Sequence, residues 1–136
     1  MKDAVQPRLL VLDDDPMVGK VLCKSAERIG ALTALTSEPQ EFFSQAAQWQ
    51  PSHVAIDLSM PEMGGIEVLD RLAQAGCTAR VIVTSGADSV RIEAALAHAR
   101  ALGLAVAGAL PKPFFSASVL SSLLALGEPA KPANAA

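Results

Sequence analysis

This sequence is poor in cysteine, has no surplus of basic residues and contains no long hydrophobic run. Its two cysteines, Cys23 and Cys77, stand far apart without metal-ligand or redox spacing, so they read as lone thiols, not a disulfide or a metal site. The formal net charge of -3 gives no reason to expect nucleic acid or an anionic membrane as a partner. No apolar stretch approaches the roughly 18 residues of a membrane span. Nothing before the first apolar run has the make-up of a secretory leader, so the expectation is a cytoplasmic protein. At 136 residues the chain fits one domain, and 51% hydrophobic residues suffice for a core.

What the chain does have is alternation. Short aliphatic runs take turns with amphipathic segments, the mark of βαβ units around a parallel sheet. Strands are expected over residues 8–12, 31–35, 54–56, 80–83 and 105–110. Helices are expected over 16–29, around Phe43, Ala46 and Ala47, on Ile66, Leu69 and Leu72, and over 89–102 and 116–126. Asp15 suits an N-cap followed by Pro16 at the first helical position. Ser37 and Gln40 have capping-box spacing, and Gly30, Gly76 and Gly103 mark helix stops. The uniformly apolar run at 54–56 reads as a strand buried on both faces. The domain is expected over residues 7–127, with 128–136 as a flexible tail or linker.

Five strands and five helices in alternation imply a doubly wound α/β sandwich, where ligands bind at the carboxyl ends of the strands. Asp13, Asp14 and Asp15 follow the first strand, Asp57 the third, Thr84 and Ser85 the fourth, and Lys112 the fifth. Adjacent carboxylates at the rim of a core repel one another unless something positive balances them. Taken singly, each residue has an ordinary reading: Asp15 as a cap, Asp13 and Asp14 as a solvated loop, Lys112 as a surface lysine. Met60, Met63, Trp49 and Phe114 read as packing residues. His53 and His98 have no partner at ligand spacing and receive no chemical role.

The pieces VLDDDP, DLSMPEMGG around Asp57, VTSG with Thr84 and LPKPF with Lys112 occur in this order, each at a strand end. In them the chain resembles a bacterial two-component response-regulator receiver domain, over residues 8–126. The resemblance implies a flavodoxin-like α/β fold with a five-stranded parallel sheet in the order 2-1-3-4-5. It implies that Asp57 is the phosphoacceptor for a histidine kinase or histidine phosphotransfer protein, assisted by Thr84 and Lys112. It also implies that Mg²⁺ is held by Asp13, Asp14, Asp57 and the backbone carbonyl of Ser59. The Lys112–Pro113 bond matches a position where the family usually has a cis peptide. Such a chain is a regulatory domain, not an enzyme with its own substrate, although it assists its own phosphorylation and dephosphorylation.

The chain departs from that family in places. Ala109 stands three positions before Lys112, where many receivers carry an aromatic residue, and Gly64 stands where aspartate is common. The stretch from Thr84 to Lys112 is longer by about a helical turn or more. The segment HARALGLAVAGALPKPF is similar to receivers that precede EAL-type cyclic-di-GMP phosphodiesterase domains. An output domain of that type, a separate partner protein or a second copy of the chain are the candidate recipients of a signal. The rival reading is a haloacid-dehalogenase-like phosphatase with Asp13 as nucleophile and Asp15 as general acid. That chemistry needs further acidic metal ligands after the lysine, where only Glu128 follows, and it leaves Asp57 unexplained.

Overall fold

A computed structural model describes residues 6–60, 63–86, 89–112 and 116–125 of the chain. Five strands and five helices alternate: β1 Arg8–Leu12, α1 Pro16–Arg28, β2 Leu32–Thr36, α2 Pro39–Trp49, β3 His53–Asp57, α3 Gly65–Gln74, β4 Arg80–Ser85, α4 Ser89–Ala101, β5 Val106–Pro111 and α5 Ala117–Leu123. The strands are all parallel and ordered β2-β1-β3-β4-β5, so β1 and β3 lie side by side inside the sheet. The Lys112–Pro113 bond, Phe114, Glu128 and the segment 128–136 lie outside the described residues.

Alternation along each strand divides the core in two. Leu10, Leu12, Val54, Ile56, Val81 and Val83 pack on one face with Phe42, Leu69, Leu72 and Ala99. Leu9, Val11, Ala55, Ile82 and Leu110 pack on the other with Leu22, Ala26, Leu120 and Leu124. All five residues of β3 are buried, as expected of a central strand covered by helices on both faces.

Local signals set most element ends. The Asp15 side chain caps α1, accepting from the N–H of Met17 at 3.0 Å and of Val18 at 3.4 Å, with Pro16 following it. Gly30, Gly76 and Gly103 fall just after α1, α3 and α4, as their positions in the sequence implied. Ser37 and Gln40, in contrast, do not form a capping box. Glu38 is the N-cap of α2, without a side-chain bond, because Pro39 takes the first helical position and fixes the phase one residue later.

Two further differences bear on the site. Ile66 is 42% exposed, and α3 buries Gly65, Val68, Leu69 and Leu72 instead. These positions stand three and four apart, one face of a helix that begins at Gly65. At Gly65 a Cβ would lie 3.2 Å from Leu58 Cα, so glycine there lets α3 seat closely against the end of β3. In β5, the register jumps from Val106 opposite Val81 to Gly108 opposite Ile82, so Ala107 is a bulge. Gly108 takes φ 149°, and a Cβ there would meet Leu123 at 2.8 Å.

Candidate functional site

The residues singled out in the sequence meet at the carboxyl edge of the sheet. Backbone hydrogen bonds place them there and extend the ladder past the formal strand ends. Asp13 N donates to Thr36 O at 3.1 Å, Leu58 N to Thr84 O at 3.1 Å, and Lys112 N to Ser85 O at 3.1 Å. Asp57 stands directly opposite Thr84 in register. Asp13, Asp57, Thr84 and Ser85 are buried, while Asp14 and Ser59 are exposed at the rim.

One ammonium joins two of the acids. Lys112 Nζ lies 3.1 Å from Asp13 Oδ2 and 3.1 Å from Asp57 Oδ2. The other oxygen of each carboxylate takes an amide: Asp13 Oδ1 accepts from Asp15 N, and Asp57 Oδ1 from Ser59 N, both at 2.9 Å. Burial works against the charged lysine, but its hydrogen bonds and charge pairing with Asp13 and Asp57 outweigh this and raise its pKa. Burial pushes the Asp13 carboxyl up and the Asp57 charge adds to that, against the lowering effect of the Asp15 amide and Lys112.

Three carboxylates against one ammonium leave the cluster negative. Oxygen atoms of Asp13, Asp14 and Asp57 come within 4.8 Å of one another, close enough to share a metal ion. With oxygen donors alone, the set fits a hard divalent cation and not a thiolate- or imidazole-seeking one.

Comparison with known proteins decides the family. A family model of the response regulator receiver domain matches residues 9–124. The chain belongs to the response regulator receiver domain family. It is 33% identical over 132 residues to response regulator MprA of Mycobacterium bovis, covering 95% of this chain and 54% of that protein. To MprA of Mycolicibacterium vanbaalenii it is 34% identical over 122 residues, 88% of this chain and 49% of the relative. The chain thus spans about half the length of these relatives. A solved response regulator from Colwellia psychrerythraea superposes with a TM-score of 0.72 at 30% identity, covering 88% of this chain and 94% of that one. A chemotaxis response regulator of Vibrio cholerae shares the fold, with a TM-score of 0.71 at 18% identity over 85% and 93% of the two chains.

The chain is therefore a phosphoacceptor signalling domain of the two-component type, and the phosphatase alternative built on Asp13 is not favoured. No helix among the described residues is long and apolar enough to cross a membrane. A cavity of about 560 Å³ between α2 and α3 opens at the opposite edge of the receiver's sheet beside Arg8 and Ala79.

Some polar contacts of the receiver give no warning in the sequence. His98 Nε2 lies 2.7 Å from Asp70 Oδ1 and joins α4 to α3, a pair hidden by the 28 positions between its members. Arg91 Nη2 donates to Leu58 O at 3.5 Å. The only sign of it is a lone cation early in an alanine-rich helix. His53 is fully buried, with Nδ1 2.8 Å from Ser52 Oγ and no partner for Nε2 among the described residues.

Proposed function

We propose that the domain, over residues 7–127, is switched by phosphorylation of Asp57. A histidine kinase or histidine phosphotransfer protein presents its phosphohistidine to the acidic cluster. The Asp57 carboxylate attacks phosphorus, the phosphorus–nitrogen bond breaks, and the imidazole keeps the electron pair. Lys112 pairs with Asp57 and then with the phosphoryl oxygens, and the Thr84 hydroxyl donates to the same group. Asp13, Asp14, Asp57 and the Ser59 carbonyl would hold Mg²⁺, which when bound neutralises charge on the transferring group. The product is an acyl phosphate, labile to water, so the same residues assist its loss and the signal decays.

The observation that carries this reading is the Lys112 bridge between two buried carboxylates at the strand ends, one of them opposite Thr84. The reading places the protein in the cytoplasm. It gives the signal to a partner protein, a second copy of the chain or an EAL-type output domain beyond a linker at 128–136. That the chain spans only about half of its relatives leaves room for such a domain. Intact mass after treatment with acetyl phosphate and Mg²⁺ tests the chemistry. One phosphoryl group should appear, map to Asp57 and vanish in Asp57→Asn. A label that persists in that variant and maps to Asp13 overturns the proposal.

A further inference from the structure

Asp57 and α4 are joined through a single peptide plane. On one side of the Leu58–Ser59 peptide, the Ser59 N–H donates to Asp57 Oδ1 at 2.9 Å. On the other, the Leu58 carbonyl accepts from Arg91 Nη2 at 3.5 Å. The C=O and N–H of a trans peptide are fixed in one plane and point in opposite directions, so a rigid unit links carboxylate to guanidinium. The preceding peptide is tied as well, since Leu58 N donates to Thr84 O at 3.1 Å. The Leu58 side chain is buried against Gly65.

We propose that Arg91 is a positioning residue: by holding the Leu58 carbonyl it aims the Ser59 N–H at Asp57 Oδ1 and couples the state of Asp57 to the first turn of α4. The inference rests on Asp57 being the phosphoacceptor. A carbonyl that accepts a hydrogen bond makes the N–H of its own peptide a stronger donor. Without Arg91 the plane can rotate, and the nucleophile loses a fixed reference. The coupling works in both directions. An Asp57 carrying a phosphoryl group has less negative charge on its own oxygens, so the Ser59 N–H is held less firmly and the Leu58 carbonyl is free to turn from Arg91. Helix α4 is suited to respond, because among its described residues only Ala95, Leu96 and Ala99 are fully buried, with Ile92 half-buried against the same core.

Arg91→Ala and Arg91→Lys in the full chain test this. Without donor or metal, exchange of the Ser59 amide, followed by NMR, should speed up about three- to tenfold in Arg91→Ala, the worth of one modest hydrogen bond. Arg91→Lys should restore part of it. Labelling by acetyl phosphate should lose a similar factor in its maximal rate, with the donor concentration at half-maximal rate unchanged. The change in α4 protection produced by beryllofluoride and Mg²⁺ should disappear in Arg91→Ala. Ser59 exchange and an α4 response both equal to those of the wild type would overturn the role of Arg91. If the wild type itself takes no label on Asp57, the phosphoacceptor reading fails instead. The donor-free Ser59 measurement still decides the geometric claim.

Discussion

Lys112 and Ser59 grip opposite oxygens of Asp57: Nζ lies 3.1 Å from Oδ2, while Oδ1 accepts from the Ser59 amide at 2.9 Å. Because the same ammonium also holds Asp13, its removal strands two buried acids at once. Lys112→Ala should cost about 2–4 kcal/mol in metal-free buffer, somewhat less than a fully enclosed pair, since the lysine side chain remains 15% exposed. Denaturant melts at pH 7 measure it, and millimolar Mg²⁺ should recover a good part of the loss. A variant as stable as the wild type without metal would show that the bridge does not hold this edge together.

Mg²⁺ should raise the stability of the wild type through Asp14, the exposed member of the acidic cluster. A ligand that binds only the folded state adds about 2.7 kcal/mol at a hundredfold excess over Kd. Asp14→Ala removes a repelling charge, so its metal-free melting temperature should equal or exceed that of the wild type, while most of the Mg²⁺-dependent rise is lost. An undiminished rise in the variant would take Asp14 out of the metal site.

The strand ends were legible in the sequence because each functional side chain closes an apolar run: LLVL before Asp13, VAI before Asp57, VIV before Thr84. A strand buried on both faces tolerates polar groups only where it emerges, so composition alone points to the edge. The capping box at Ser37 and Gln40 misled because Pro39, between them, fixes the helix start more strongly than a side-chain cap does. The bulge at Ala107 had no signal, because AVAGAL is small and apolar on every face and its periodicity cannot report a slip. The partners of Arg91 and His98 were invisible for another reason. Each contact joins two elements whose approach is a property of the packing, not of the local pattern.

His53 should make the protein acid-sensitive. Burial, with the charge of Arg80 adding to it, lowers its pKa from 6.5 to about 4. Above pH 6.5 the ring is neutral in both folded and unfolded chains and contributes nothing. Between 6.5 and 4 the unfolded chain takes up a proton that the folded chain refuses, so stability falls as pH falls. Below about 4 the loss levels off near 3 kcal/mol. His53→Leu keeps the buried volume and removes the titration, so its stability should decline less between pH 6.5 and 4. Parallel curves for wild type and His53→Leu over that interval would contradict this assignment.

Activation should bypass β5 and run through α4. Ala109 stands opposite Val83 and packs on the face that carries α4, but a methyl group has no rotamer to swing when Thr84 moves. A switch needs an element with two arrangements that the phosphoryl group stabilises unequally. Helix α4 meets the core through the small side chains Ala95 and Ala99 together with Leu96 and the half-buried Ile92, while Ala94 and Ala97, although part of the same alanine-rich run, face solvent. Such shallow seating costs little to shift, and the His98–Asp70 contact ties the far end of the helix to α3. Hydrogen exchange with and without beryllofluoride and Mg²⁺ should therefore change most within Ser89–Ala101 and little within Val106–Pro111. A response in β5 and α5 with α4 unchanged would mean that the missing aromatic has been replaced by another route along the fifth strand.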